Sequence, residues 1–482
     1  MKKLSTLGIV IVVTLLALPG MGNAQKWQSM KHPPAFQTDT ALQLTDGTVM
    51  VHEYLTPNWW RLTADNSGSY LNGTWSKMGS MPSNYGPLYF ASAVLVDGRV
   101  IVEGGEYNCC GGSEVTLGAI YDPVKDKWTN VNPPSGWNDI GDSPAIVLPN
   151  GTFMLGQNVT MATAFFNPKT LAWTLKGSGK ADTFSEEGWE LLPNGTVLTV
   201  DTQNTPDSER FIPKTNKWVA AGSTIVDLSI NAGLEIGPAL LRPQGNVFAT
   251  GGNSSGAGHT ALYDTATGKW AAGPDFPNGN DMADAPAAVE PNGNVLVETS
   301  PGVFQAPVTF YEFDGTKFNK APSPKQLGTP LQTSYQGRLM VLPTGQILYT
   351  LADGGTEDAE IYTAKGKSKA AWAPTITTAP TTVTRGQSYS ISGTQFNGLS
   401  AGAAYGDDAQ MATSYPLVRI TNTASGHVFY ARTHDHSTMG VATGKKKVST
   451  HFDVPSGMET GASSLVVVAN GIASKPVSVT VQ

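Results

Sequence analysis

The stretch Tyr89-Phe-Ala-Ser-Ala-Val-Leu-Val-Asp-Gly-Arg-Val-Ile-Val-Glu-Gly-Gly105 decides the fold. Two apolar runs flank Asp97-Gly98, the pattern of a β-hairpin, because a tight turn needs residues that accept positive φ. An apolar run, a short polar residue with Gly, and a second apolar run recur at Asp46-Gly47, Asn150-Gly151, Asn194-Gly195, Gln244-Gly245, Asn292-Gly293 and Thr344-Gly345. Successive turn glycines lie 51, 53, 44, 50, 48 and 52 residues apart. A period of about 50 residues is that of a propeller blade. The seven units predict an all-β, seven-bladed β-propeller.

The period is that of kelch-type blades, each with four antiparallel strands and an aromatic residue on the outermost one. Trp75, Trp128, Trp173, Trp218 and Trp270 fit that outer position, with Phe318 in the sixth unit. Trp27-Gln28-Ser29-Met30 copies Trp75-Ser76-Lys77-Met78 but precedes the first hairpin. It is expected to supply the outer strand of the seventh blade, closing the ring and removing exposed strand edges. The propeller then covers 25–372. Residues 373–482 alternate apolar and polar in short runs such as Leu417-Val-Arg-Ile420 and Val477-Ser-Val-Thr-Val481. That pattern predicts an immunoglobulin-like β-sandwich.

The chain of 482 residues holds 53 Gly and 32 Pro, which suits many short strands joined by turns. A net charge of −7 shows no basic footprint for nucleic acid or an anionic membrane. Lys2 and Lys3, the apolar run from Leu7 to Pro19 and the small residues Gly22-Asn23-Ala24 form an export signal over 1–24. The mature protein is expected to begin at Gln25 and to be secreted, periplasmic or extracellular. No later apolar run is long enough to span a bilayer. The two cysteines, Cys109 and Cys110, are adjacent. Export permits a disulfide between them, and two free thiols are the alternative.

Propellers bind ligands at the mouth of the central channel. The start of each innermost strand faces that mouth, eight residues before the turn residue: Thr38, Tyr89, Asp142, Glu186, Ile236, Asp284 and Gln336. Glu187, Glu235, Asp281 and Tyr335 lie beside them, and Tyr107, Cys109 and Cys110 follow a second strand that ends on the same face. Trp189 is a further aromatic neighbour. The mouth is expected to be acidic and aromatic. Such carboxylates can do acid–base work on a glycosidic bond, bind Ca²⁺, or hold sugar hydroxyls while a ring stacks on an aromatic side chain.

An export signal, seven kelch blades and a terminal sandwich together resemble the galactose oxidase and glyoxal oxidase family. The resemblance covers nearly all of the mature chain. It implies a loop from the last domain entering the channel, and one copper held by two tyrosines and two histidines, one tyrosine crosslinked to a cysteine under an aromatic residue. Tyr89 matches the crosslinked tyrosine, and Tyr107 the place of the stacking residue. Tyr335, ahead of Leu342-Pro343-Thr344-Gly345, matches the axial tyrosine. Thr433-His434-Asp435-His436 matches the loop with the last histidine, His434 before His436. Two positions depart: Thr38 stands for the cysteine and Gln336 for a histidine. Without that thiol the thioether cannot form there, and an amide is a poorer copper ligand than imidazole.

The candidates for chemistry at the mouth are Tyr89, Tyr335, His434, Asp142, Glu186 and Asp284, with Tyr107, Cys109 and Cys110 as a substrate platform. The leading reading is an exported propeller that binds carbohydrate or a small polyol, with copper-radical chemistry lost and carboxylates available for catalysis. The alternatives are a copper oxidase of the family type, acting on a polyol or aldehyde through altered ligands, and a non-enzymatic envelope or matrix protein. Calcium is the other metal the acids could hold. A monomer is expected, with no nucleic-acid partner and no membrane span.

Overall fold

The computed structural model describes residues 25–327, 331–352, 357–406 and 411–482. The expected export signal over 1–24 lies outside them. Seven sheets of antiparallel strands form the propeller between Lys26 and Thr363, blade five carrying one additional parallel strand, Ser229–Ile230. Blade one holds Thr38–Gln43, Val49–Glu53, Trp59–Thr63 and Thr74–Lys77, and blades two to six repeat that order. Blade seven takes Gly337–Val341, Ile347–Leu351 and Glu360–Thr363 from one end of the chain and Lys26–Ser29 from the other. Trp27 lies opposite Tyr362 in that last pairing. The ring therefore closes as expected from the Trp27 motif.

The hairpins differ in one detail from a two-residue turn. Leu95 N–H donates to Arg99 O and Gly98 N–H to Leu95 O, so the loop has three residues. Only Gly98 is left-handed, at φ +82°, while Asp97 is not. This is a type I turn followed by a left-handed bulge residue, for which Gly carries no Cβ penalty. Its Asp side chain accepts from the backbone N–H of Arg99, 3.1 Å away.

The outer tryptophans lock blade to blade. The indole N–H of Trp128 donates to Gly79 O (2.9 Å), Trp173 to Asn132 O (2.8 Å), Trp75 to His32 O (3.0 Å) and Trp27 to Pro322 O (2.7 Å). Each acceptor belongs to the segment leaving the preceding blade. One side chain thus gives both apolar area and a directional bond to its neighbour.

Residues from Thr375 onward form a curled sheet of nine strands around Val383, Ile391, Ile420, Phe452, Leu465, Val467 and Val479. It covers the face of the propeller that carries the hairpin turns. Thr433 N–H donates to Thr45 O (3.1 Å), His436 N–H to Val96 O (3.1 Å) and Met439 N–H to Pro149 O (3.0 Å). One segment leaves this sheet and enters the channel. Ala403–Tyr405 pairs antiparallel with Pro286–Val289, the innermost strand of blade six, Tyr405 lying opposite Pro286. Gly402 O accepts from Val289 N–H at 2.7 Å, and Met411 returns into the propeller core.

A second internal feature is ionic. Lys180 is buried with its Nζ at 2.8 Å from Glu187, 2.7 Å from Glu209 and 3.4 Å from Asp201, and against Asp182. Burial pushes Asp201 up to about 7 despite the ammonium, and pushes Glu190 up to about 8 against a hydrogen bond from the backbone of Leu241.

Two outcomes follow. Trp27→Ala removes packing against Phe310, Tyr349 and Tyr362 at ring separations of 5.2, 5.4 and 4.9 Å. It is expected to cost about 3–5 kcal/mol in urea unfolding, the range for a buried Trp or Phe cut to Ala. Glu190 has a raised folded pKa, so its neutral form is favoured on folding. Its contribution is full below its ordinary value near 4.5 and lost as pH rises through about 8. The melting temperature is therefore expected to fall between about pH 5 and pH 9, and Glu190→Gln to flatten that fall.

Candidate functional site

The uncovered end of the channel opens into a cavity of 780 Å³. Its walls are Tyr54, Tyr89, Glu106, Tyr107, Asp142, Glu186, Glu235, Asp284, Phe304 and Tyr335, with Leu55, Leu88, Asn108, Gly112 and Thr333. The eight-residue count thus brings Tyr89, Asp142, Glu186 and Asp284 together from four different blades. Three of these four share an unusual backbone. Tyr89, Glu186 and Asp284 have φ of +51°, +60° and +45°, a conformation uncommon outside Gly and costly unless its surroundings hold it. The turn into each inner strand is what aims these side chains along the axis.

Glu186, Glu235 and Asp284 form the densest part. One carboxyl oxygen from each lies within 4.8 Å of the others. Three charges cannot share that space in a half-buried setting. Burial first, then Asp284 and Glu186, push Glu235 up to about 12, so the group keeps a proton at neutral pH. The spacing is tighter than the roughly 6.5–9.5 Å that leaves room for a water between the carboxyls of inverting glycosidases. The three act as one proton-sharing unit that both donates and accepts hydrogen bonds. Gly406, at the tip of the inserted segment, lies so near Asp284 that a Cβ there would come within 2.5 Å of its Oδ1.

The opposite wall is aromatic. Tyr107 is half exposed and meets Tyr89 edge-on at 6.2 Å. The hydrogen bond to Glu106, with its charge, pushes the Tyr107 phenol up to about 12, while burial raises Glu106 itself. Asn158 donates to Asp142. Phe304 meets Tyr335 edge-on at 5.2 Å. Cys109 and Cys110 are joined as a disulfide in the tip that follows Tyr107, and Cys110 Sγ sits 3.3 Å from Ser83 O. The Tyr107–Asn108 strand that leads into this tip pairs with Pro87–Leu88, just before Tyr89.

Under the floor lies Arg338, wholly buried. Its guanidinium carbon is 3.9 Å from the ring centre of Tyr405 and 5.4 Å from that of Tyr89, and its Nη1 donates to Tyr335 O at 2.8 Å. One cation thus ties the inserted segment to both tyrosines.

Several expected residues lie elsewhere. His434 sits on the covered side of the propeller, bonded to Asp435 and to Asp453 at 2.8 and 3.0 Å. Its neighbour Thr433 bonds Thr45, at the hairpin-turn end, whereas Tyr89 begins a strand at the other end. The Thr433–His436 stretch therefore does not enter the channel, and the 403–405 strand does. His436 is buried against Thr450. Glu187 turns inward to Lys180, Asp281 accepts from the backbone of Asn253 and Trp189 fills the core between blades.

The donor set does not fit a copper-radical centre. Thr38 Oγ1 is buried and donates to Leu351 O at 3.3 Å, and the Gln336 amide oxygen accepts from Thr333 N–H at 3.0 Å. None of the seven histidines lines the cavity, and both cysteines are held in their disulfide. Phenols and carboxyls remain.

Tyr54, Glu106, Phe304, Arg338 and Tyr405 were not among the expected site residues. Tyr54 and Phe304 follow the second strands of blades one and six, as Tyr107 follows that of blade two. Their distances from the turn residue differ, 8 for Tyr54, 10 for Tyr107 and 12 for Phe304, so the signal is the loop after the second strand rather than a fixed count. Arg338 and Tyr405 carry no local signal, since each acts through a partner far away in sequence.

No family model matches the sequence, and no curated protein does. Among solved structures, the chain is similar to a fungal alcohol oxidase of the AA5 family in complex with copper, at 14% identity and a TM-score of 0.51, covering 96% of this chain and 99% of that one. It is also similar to virginiamycin B lyase from Staphylococcus aureus, at 9% identity and a TM-score of 0.49 over 71% of this chain and 100% of that one. A third is the extracellular domain of BT4673 from B. thetaiotaomicron, at 10% identity and a TM-score of 0.46 over 95% of this chain and 58% of that one. The likeness to the alcohol oxidase establishes a galactose-oxidase-like propeller fold, and at this identity it establishes the fold alone.

Proposed function

We propose that this is an exported, galactose-oxidase-like propeller that binds carbohydrate or a related polyol at its mouth, without copper-radical chemistry. The mature chain then starts at Gln25, with kelch blades to 372 and an immunoglobulin-like body over 373–482. The observation that carries the reading is the Glu186–Glu235–Asp284 group facing a wall of tyrosines. A neutral carboxyl donates one hydrogen bond, and its ionised neighbours accept several. That alternation suits adjacent hydroxyls, each of which donates and accepts. Tyr107, Tyr89 and the stiffened 109–110 tip offer a platform for the apolar face of a sugar ring.

A second reading uses the same three carboxyls for Ca²⁺, which takes oxygen ligands and would displace the shared proton. Calorimetry with and without a chelator separates the two. Carbohydrate binding that survives EDTA supports the proton-sharing site, and binding that needs added Ca²⁺ supports the second reading.

Screening the purified protein against a glycan panel tests the first reading. Glycan binding is expected. Tyr107→Ala is expected to weaken it about tenfold, the loss of one stacking contact worth roughly 1.4 kcal/mol. Glu235→Gln, which keeps a donor and an acceptor, is expected to bind more tightly than Glu235→Ala. A panel with no ligand, in a protein of unchanged melting temperature, would contradict the proposal.

Copper loading followed by removal of excess ion gives an independent check. Less than one tenth of an equivalent of retained copper, and no radical absorption after oxidation, is the expected result. Stoichiometric copper with such a band would restore the oxidase.

A further inference from the structure

On its outer rim a closed propeller leaves one strand edge per blade in solvent, a row of backbone N–H and C=O groups that a further strand could join. Six of the seven outermost strands carry a lysine: Lys26 in Lys26–Ser29, Lys77 in Thr74–Lys77, Lys127 in Lys127–Val131, Lys217 in Lys217–Ala220, Lys269 in Lys269–Ala272 and Lys320 in Phe318–Lys320. An edge lysine discourages an added strand, because the newcomer would strip water from its charge. The outermost strand of blade three, Ala172-Trp173-Thr174-Leu175, carries no charge. It is also apolar on its surface. Leu175 is 50% exposed, and Leu171, in the turn that feeds the strand, is 36% exposed. Two residues after the outer aromatic, where Leu175 stands, the other blades have Ser29, Lys77, Asn130, Ala220, Ala272 and Lys320. Blade three alone places a large apolar side chain there.

The edge is a fixed template. Ala172–Leu175 is the last strand of its sheet and pairs with Thr163–Asn167 on one side. Lys176 N–H donates to Thr163 O at 3.1 Å. Antiparallel bonding alternates along a strand, so Ala172 and Thr174 bond inward as Lys176 does, and the N–H and C=O groups of Trp173 and Leu175 point away from the sheet. Trp173 is anchored by its indole N–H on Asn132 O at 2.8 Å and by the Phe166 ring at 5.0 Å.

Charge stands only at the two ends, on the exposed Lys169 and Lys176, seven positions apart. Two copies pairing antiparallel about Trp173 would bring Lys169 of each chain next to the place opposite Lys176 of the other. Like charges so placed oppose that union. A foreign strand with acids at matching ends would meet both lysines with opposite charge.

We propose that the outer edge of blade three takes an added strand, an extended segment of another protein that alternates apolar and polar residues and has an acidic residue at each end. Main-chain bonds to Trp173 and Leu175 hold it, the side chains of those two residues, which share one face, receive its apolar positions, and Lys169 and Lys176 receive its acids. No residue of this edge lines the mouth cavity, so the proposal is independent of the carbohydrate reading.

Fluorescence anisotropy of the whole protein with a labelled octapeptide, Glu-Thr-Val-Thr-Ile-Thr-Val-Glu, tests it, since its glutamates repeat the spacing of the two lysines. It is expected to bind about tenfold more tightly than the same peptide ended by lysines, and to slow hydrogen exchange at the amides of Trp173 and Leu175. Methylating alternate backbone nitrogens of the peptide is expected to abolish binding, because strand addition uses main-chain bonds. Leu175→Lys, which gives blade three the lysine that blades one and six carry at that place, is expected to weaken binding about tenfold and to leave the melting temperature within about 2 °C. Equal binding of the lysine-ended peptide, binding indifferent to methylation or to Leu175→Lys, or no binding at about 1 mM peptide would each overturn the proposal. A concentration-dependent dimer in sedimentation that Leu175→Lys abolishes would place a second copy on the edge and overturn the assignment to a foreign strand.

Discussion

Ala403–Tyr405 completes the inner edge of blade six, and the rest of the site depends on that pairing. The innermost strands of a propeller expose unpaired backbone to the channel, and water would fill it. Here a strand from the carboxy-terminal sheet takes one of those edges and brings Tyr405 to Arg338. The channel becomes a pocket closed from below. The same segment places Gly406 against Asp284, so the position of one acidic side chain is set by a residue more than a hundred places later in sequence. Closure of the ring by Trp27 acts in the same sense, because blade seven carries Tyr335 and Arg338 and must be held against blade one.

Inside this frame the acidic side chains gather in two groups. Lys180 settles the acids between blades three and four. The acids at the mouth remain partly protonated, at the cost of desolvating carboxyls that water would otherwise ionise. A fold that places left-handed residues at three inner-strand starts gathers Glu186, Glu235 and Asp284 from three blades into one close group at the mouth.

Much of this was legible in the chain. The spacing of Gly47, Gly98, Gly151 and their successors contains the seven blades, and the copied Trp27 motif contains the closure, because both reflect local turn chemistry and one repeated core position. The eight-residue count found Tyr89, Asp142, Glu186 and Asp284 for the same reason. The count's other three positions, Thr38, Ile236 and Gln336, do not line the cavity, and of the residues expected beside the counted ones Glu187 turns to Lys180, because adjacent positions face opposite sides. His434 was misplaced because sequence order does not tell which loop of the last sheet enters the channel. Two small alanines and Tyr405, with no metal-ligand signature, made that entry instead.

The proton on Glu235 is the most direct point of test. Protein carrying ¹³C-labelled glutamate carboxyls can be followed by NMR as pH is raised, with Glu235→Gln assigning the signal. The account predicts a glutamate resonance that titrates well above the ordinary carboxylate range, staying at the protonated shift at neutral pH, and that is missing from Glu235→Gln. A Glu235 resonance already ionised at pH 6 would contradict it, and would mean that the three mouth carboxyls do not share a proton.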